Sequence, residues 1–545
     1  MASTALGQIG YAFEPTSAPG EQIGTPPGGS TDVSILSYGN VAASVSATNQ
    51  PTGSTGMRLH IYVYNNTATG TLTVAGTDIN GNSITETTPT IPIAPVQPQS
   101  QETGRFDYVT QKVYKTINSS GITTSGLTGG SIKIGGIYGA KAMLPGTLKA
   151  VAKYGEYSPD EQRALGDRHT HKVQTIKDVS VDIDIAMYPE TSLFIPYALT
   201  SQSTPTSTPS SATTLKTTTA VSGSPLSLTT QPTAPGQYLI MVITGTSTSG
   251  TIALTGSNDL GASTTETITA SGNGTYYSAN KYSAIASGGV VITGLTSGSI
   301  AITGVFAWNR TFQPTFTPYT LALEWFTGSE SMTIPFFAME GVEFDFDVKK
   351  EFTAKIKGIA QERMPIGDRT TLGLSTSRVS TLIQPVDRPI ASWQCNVYID
   401  PGTSGAWGVT SFGDMMTGKV KISNAIEGVH TLANQQTFTQ LGRGKWTVEF
   451  EAKLIYTNLL QIEQFRQDTK QYIQLSFLGR NVGSGNIQQI QFVIPFKYNK
   501  FEVTSTAAMK YPEVDIAGIG EYDPTLGSSY QIQVLNSAQN PAYTS

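Results

Sequence analysis

The chain has 545 residues and a net charge of −5, with one cysteine, four histidines and only 13% charged residues. That length exceeds what one hydrophobic core supports and implies several domains. A single cysteine excludes an intrachain disulfide, no basic tract offers a phosphate-neutralising face for sequence-specific nucleic-acid binding, and no apolar run is long enough to span a bilayer.

Charged residues stand at about half the ordinary ~25%, and Gly, Ser and Thr fill the gap. β-branched and aromatic residues are nevertheless plentiful in short alternating runs, so the expected class is mainly β, strands between Gly-rich turns. Residues 1–30, with Pro26-Pro27-Gly28-Gly29, read as an extended arm. Residues 31–140 read as a small β-sandwich: Leu59, Ile61 and Val63 alternate with His60, Tyr62 and Tyr64, and Asp78 to Asn82 supplies turn chemistry.

Residues 141–204 begin a larger module, in which Val179, Val181, Ile183 and Ile185 alternate with Ser180, Asp182 and Asp184. Residues 205–312 form a second small module behind the linker-like Thr204 to Ser211, placed as an insertion in the larger one. Residues 313–385 complete that module; there Val342, Phe344, Phe346 and Val348 alternate with Glu343, Asp345 and Asp347. Residues 390–525 form a second large module with an alternating strand from Trp446 to Leu454. A helix is expected next, with Asn458 as N-cap and Leu459, Ile462 and Phe465 on one face. Its counterpart would start near Pro189 and be cut short by Pro196. Residues 526–545 are again polar and arm-like.

Two internal duplications organise these pieces. Gly70-Thr-Leu-Thr-Val-Ala-Gly76 matches Gly250-Thr-Ile-Ala-Leu-Thr-Gly256, Thr85-Glu86-Thr87 matches Thr265-Glu266-Thr267, and Leu127 to Gly135 matches Leu295 to Thr303. In the larger modules, Ile334-Pro335-Phe336 matches Ile494-Pro495-Phe496. Gly358-Ile359 with Glu362 matches Gly518-Ile519 with Glu521, and Met143 to Lys149 resembles Met415 to Lys421. Two copies of one β module are interleaved with two copies of another.

On this order of elements (a strand pair, a strand leading to a short helix, a further strand, and a closing pair ending in Gly-Ile and a glutamate) the large module resembles the tail tube, or major tail, proteins of long-tailed bacteriophages. The small modules look like the immunoglobulin-like domains that decorate phage tail and capsid proteins. The resemblance implies two tube-type β-sandwich or barrel modules, each with a short helix, plus two small immunoglobulin-like sandwiches. It implies self-association into rings, here a homotrimer with pseudo-sixfold symmetry because the module is duplicated, stacked around a lumen. That lumen would conduct genomic DNA and house a tape-measure protein, with tail terminator and baseplate proteins as further partners. The implied setting is a virion tail, assembled in host cytoplasm without membrane insertion. The N-terminus, which lacks the features of a secretory signal, agrees with cytosolic folding.

The alternating carboxylates Asp182, Asp184, Glu343, Asp345, Asp347, Glu449 and Glu451, with Glu513 and Asp515 in the same pattern, are candidate lumen-lining residues, where they would repel DNA phosphate. An ordinary solvated sheet face explains them equally. Asp167, His169 and His171 alternate like ligands for a metal, but a polar loop explains them better, and Asp78-x-Asn80-x-Asn82 reads as a turn rather than a calcium loop. Neither is taken as a metal site. No nucleophile elbow, phosphate loop or dinucleotide fingerprint is present, so no catalytic residue, cofactor or enzymatic activity is expected. Trp308, Trp325, Trp393, Trp407 and Trp446 are read as packing residues, and Cys395 as a small apolar strand residue. The alternative function is a β-rich receptor-binding or adhesive virion surface protein.

Overall fold

The computed structural model describes residues 8–13 and 33–537, apart from 42–43, 52–55, 79–80, 94–105, 139–141, 158–172, 191, 201–205, 222–224, 247, 259, 316–319, 327–330, 362–363, 367–387, 403–405, 413–414, 431–437, 439, 456–462, 464 and 505–511. In chain order, β1 (Gln8–Phe13) precedes β2 (Val33–Asn40), β3 (Ser44–Val45), β4 (Met57–Tyr64), β5 (Thr71–Thr77), β6 (Ser83–Thr87), β7 (Phe106–Val109), β8 (Thr116–Ser125) and β9 (Ser131–Tyr138). Then come β10 (Ala142–Tyr157), β11 (Val173–Ala186), the helix α1 (Phe194–Thr200) and β12 (Thr206–Ser210). Next are β13 (Thr213–Ala220), β14 (Tyr238–Thr244), β15 (Gly250–Ser257), β16 (Ser263–Ala270), β17 (Gly274–Tyr277), β18 (Ala284–Thr293) and β19 (Ser299–Val305). They lead to β20 (Ala307–Phe312), β21 (Thr320–Phe326), β22 (Ser331–Asp347), β23 (Thr353–Ala360), β24 (Met364–Pro365), β25 (Cys395–Pro401) and β26 (Met415–Ser423). The last are β27 (Ile426–Val429), β28 (Gln440–Arg443), β29 (Thr447–Ile455), β30 (Gln471–Gly483), β31 (Asn486–Thr504), β32 (Glu513–Gly520) and β33 (Gln531–Asn536). The protein is mainly β.

One large antiparallel sheet carries two series of strands with the same connectivity. In the first, β10 pairs β11, β11 pairs β23, β23 pairs β22 and β22 pairs β21. In the second, β26 pairs β29, β29 pairs β32, β32 pairs β31 and β31 pairs β30. β1 joins β21 as β25 joins β30. β1 also joins β10, so the first series closes on itself as a barrel. In the second series β26 turns instead to the other repeat and pairs β22 from Gly341↔Ser423 to Asp347↔Thr417. The two repeats are thereby hydrogen-bonded into one continuous sheet.

Local details repeat as well. A bulge falls between Met339 and Gly341 in β22 and between Tyr498 and Lys500 in β31. A Cβ on Gly358 would meet the Phe337 ring at 2.4 Å, and one on Gly518 would meet the Phe496 ring at the same distance. Phe337, rather than the Phe336 of the shared tripeptide, therefore occupies the place of Phe496. The one-residue slip follows from Phe336, whose φ of 57° takes up an extra residue in the first copy. Opposite the solvent face, Phe344, Phe346, Ile356, Val420 and Phe450 join one core with Phe477 and Phe492, so both repeats share it. Phe344 and Phe492 lie 4.8 Å apart, and Phe352 stacks on Phe477 at 3.9 Å.

Several expectations change. Gln8–Phe13, expected in an extended arm, is a strand between β10 and β21. Gln531–Asn536, expected in the C-terminal arm, is a strand between β20 and β31. Part of the expected Ser-Thr-Pro linker is β12, paired to β20. α1 begins at Phe194 rather than Pro189 and includes Pro196, which sits in the first turn, where a backbone N–H has no intrahelical acceptor to lose. Of the second expected helix, Asn458, Leu459 and Ile462 lie outside the described residues. Phe465 is helical and stacks against Phe501 at 5.8 Å.

The small modules are two-sheet sandwiches around separate cores. Their first sheets run β2-β9-β4-β7 and β13-β19-β14-β17; β8-β5-β6 and β18-β15-β16 face them. The shared Thr-Glu-Thr has a structural reason. Glu86 accepts the backbone N–H groups of Gln111 and Lys112 at 2.7 and 2.8 Å, and Glu266 accepts those of Ala279 and Asn280 at 2.5 and 3.1 Å. The first sandwich is tied to the large sheet by Arg58, whose Nε donates to Glu324 of β21 at 2.8 Å with both side chains wholly buried.

Candidate assembly surface

The strand register gathers all seven predicted carboxylates on one face of the large sheet, because residues directly opposite in antiparallel strands share a face. Asp182 and Asp184 are exposed on β11, Glu343, Asp345 and Asp347 half-buried on β22, and Glu449 and Glu451 exposed on β29. Lysines occupy the strands between. Lys357 and Lys355 of β23 stand opposite Asp182 and Asp184, and Lys355 is also opposite Glu343. Lys419 and Lys421 of β26 stand between Asp345 and Glu343 on one side and Glu451 and Glu449 on the other. The face is therefore not the uniformly acidic surface the single strands suggest; it alternates acidic and basic strands. The alternating lysines were visible in Lys355-Ile-Lys357 and Lys419-Val-Lys421, but which strands neighbour one another was not.

The ion pairs of Lys419 cross the boundary between the repeats, and others knit each repeat. Lys419 lies 3.0 Å from Glu343 and 3.8 Å from Asp345, and Lys355 lies 2.6 Å from Asp345 and 3.7 Å from Glu343. Lys421 reaches Glu449 at 3.4 Å, and Lys453 reaches Glu513 at 3.0 Å. The hydrogen bond to Asp345 holds the Lys355 ammonium above the ordinary lysine range, and the bonds to Glu343 and Glu513 do the same for Lys419 and Lys453. Each pair is partly solvated, so each contributes at most about 1 kcal/mol. Their effect is to fix register and leave a polar surface with little net field. This face is hollowed into an open groove of about 1220 Å³ lined by both repeats, with Trp393 at its rim. Trp393 is 67% exposed, unlike buried Trp308, and takes no part in the core.

The junction between repeats is also covered from one end. The hairpin of β27 and β28 contributes Ile426 and Leu441, and the adjoining Phe438 joins them over Phe336, Ala338 and Ile359 of the first repeat. Asn424 donates to the carbonyl of Leu199 at 2.7 Å, anchoring the base of the hairpin. At the place of Ile359 in the second repeat, Ile519 is 47% exposed.

The remaining candidates form no chemical site. Asp167, His169 and His171 lie outside the described residues, and among the described residues no group of three His, Cys, Asp or Glu is placed to hold a metal. Asp78 accepts the Asn82 N–H at 2.8 Å, as Asn258 accepts that of Ala262 at 2.9 Å, so both small modules use the same turn. Burial pushes the Cys395 thiol up to about 12, which keeps it from acting as a thiolate.

No protein-family model and no curated protein matches the chain. Among solved structures it is similar to one described as "Crystal structure of PBSX exported protein XepA", with 10% identity and a TM-score of 0.14, over 50% of this chain and 85% of that one. So loose a superposition carries no functional weight, and the reading below stands on the chain's own geometry.

Proposed function

We propose that the chain is a structural subunit of a tubular assembly of the phage tail-tube kind. Three copies would form a ring of six equivalent modules, and rings would stack around a lumen. The observation that carries this reading is the ladder between β22 and β26, which joins two copies of one module edge to edge in a single sheet. A chain that already holds two such modules side by side has a building rule that can be repeated. Closing a sheet on itself removes edges that would otherwise pair indiscriminately.

In this proposal the charged face lines the lumen, with genomic DNA and a tape-measure protein as its occupants. Its alternating carboxylates and lysines would repel phosphate in part and bind it nowhere strongly, which suits passage better than capture. The small sandwiches decorate the exterior, tail terminator and baseplate proteins cap the ends, and the setting is the virion tail. The role is structural and needs neither cofactor nor catalysis. Negative-stain microscopy of the purified protein tests it: hollow cylinders with a knobbly exterior support the tube. Discrete particles that bind glycans or cells favour an adhesin.

A further inference from the structure

The duplication says more than that copies join; it specifies how. The bulges and the two glycine–phenylalanine contacts align Gly341, Val342, Glu343 and Phe344 of β22 with Lys500, Phe501, Glu502 and Val503 of β31. On the other side of the junction, Gly358 stands opposite Val181 and Gly518 opposite Phe450, which aligns Val181 with Phe450 and Asp182 with Glu451; their partners in turn align Ala150 with Val420, Lys149 with Lys419 and Val151 with Lys421. β10 is thus the counterpart of β26, and the second half of β31 the counterpart of the second half of β22.

Within the chain, those two counterparts meet with Glu343 opposite Lys421 and Phe344 opposite Val420. We propose that the edge of β31 around Lys500–Val503 takes β10 of a second copy of this chain in that same register, placing Val503 opposite Ala150, Glu502 opposite Val151, and Lys149 diagonal to Glu502 as Lys419 is to Glu343. The inference deepens the tube reading by naming the surface through which copies join.

Two further observations fit this occupant. Phe344 is 1% exposed beside β26 and against Phe492 of the second repeat, whereas Val503 is 46% exposed; Ile359 is packed under the β27–β28 hairpin, whereas Ile519 is 47% exposed. Both exposed residues sit where the internal junction buries its equivalents. Charge complementarity also holds. Glu502 contacts Lys500 on its own strand at 2.9 Å, with both side chains more than half exposed, and Lys149 is exposed on β10. Bringing the strands together places Lys149 diagonally across from Glu502, as Lys419 stands to Glu343, which it reaches at 3.0 Å in the internal junction. Among the described residues, β1 pairs β10 at Ala142–Pro145, before the stretch that contains Lys149.

The test is site-directed cross-linking in the full-length chain with Cys395→Ser. Directly opposite residues in antiparallel strands have Cα atoms about 4.5–5.5 Å apart, within disulfide reach. Val151→Cys combined with Glu502→Cys should give intermolecular disulfides on oxidation, at least about tenfold more than Val151→Cys with Phe501→Cys, whose side chain leaves by the other face. Charge reversal supplies a second reading: Lys149→Glu and Glu502→Lys should each shift the assembly toward single chains in mass photometry, and the double variant should restore it. Assemblies that form without the 151–502 disulfide overturn the proposed register and leave the tube reading standing. A wild-type chain that stays single at every concentration overturns the pairing itself. Cross-linked rings that never stack into cylinders uphold the pairing and overturn the tube.

Discussion

The second half of β22 and the second half of β31 are the same strand twice, with the same bulge before it and the same glycine-backed phenylalanine behind it. One is covered by β26 and the other is not, and their residues differ accordingly: Phe344 is 1% exposed, and its counterpart Val503 is 46% exposed. Neither position alone is informative, since isolated surface hydrophobics are ordinary. The comparison is informative because the chain contains its own control. Where the neighbouring module is present the site is a core, and where it is absent the same site is surface.

The largest effects should come from the covered side. Phe344→Ala should cost about 3–5 kcal/mol in urea unfolding of the isolated chain, whereas Val503→Ala should change it by no more than about 0.5 kcal/mol. Equal costs would break the comparison. Arg58→Ala should also cost about 3–5 kcal/mol, because it strands Glu324 in a buried site, and Arg58→Ala with Glu324→Ala should recover part of the loss. This second pair tests the seam between the first sandwich and the large sheet.

A middle-sized effect is expected at Asp523, near the start of the C-terminal segment. Burial pushes its carboxyl upward, but hydrogen bonds from Lys470, the Leu526 N–H and Tyr472 outweigh that and hold it at about 2. A carboxyl held below its unfolded value of 3.8 contributes stability that is complete above pH 4 and disappears as pH falls through 2. Urea midpoints between pH 4 and 2 should therefore fall by the equivalent of about 2 kcal/mol, and Asp523→Asn should flatten that part of the profile.

The smallest effect belongs to the charged face. Lys355→Met or Lys419→Met should change the stability of the isolated chain by less than about 1 kcal/mol. In the proposed tube their removal should instead alter DNA ejection, by exposing carboxylates that the lysines now balance. Unchanged ejection would count against the face as a lumen.

Much of the architecture was legible because alternation has a period of two and duplications repeat it. Val342-Glu-Phe-Asp-Phe-Asp347 announces a strand with one apolar face whatever surrounds it. β1 and β33 were not legible, because each is six residues long, sits among Gly-, Pro- or Ser-rich segments and becomes a strand through its partners rather than its propensity. Pro196 misled for a related reason: its effect depends on whether it falls in the first turn of a helix or later, and the helix boundary is set by packing. The carboxylates were legible as a set, but their meaning was not. A strand's sequence says which residues share its face, whereas the lysines that balance them lie on strands that become neighbours only in the fold.

The central claim is that the two repeats occupy equivalent positions in a ring, joined within and between chains by the same strand pairing. A cryo-electron microscopy reconstruction of the assembled protein tests it most directly. The account predicts six superposable modules from three chains at one radius, with β31 hydrogen-bonded to β10 of the next copy, Glu502 opposite Val151 and diagonal to Lys149. Repeats at different radii, or β31 and β10 left apart in the assembled state, would contradict it.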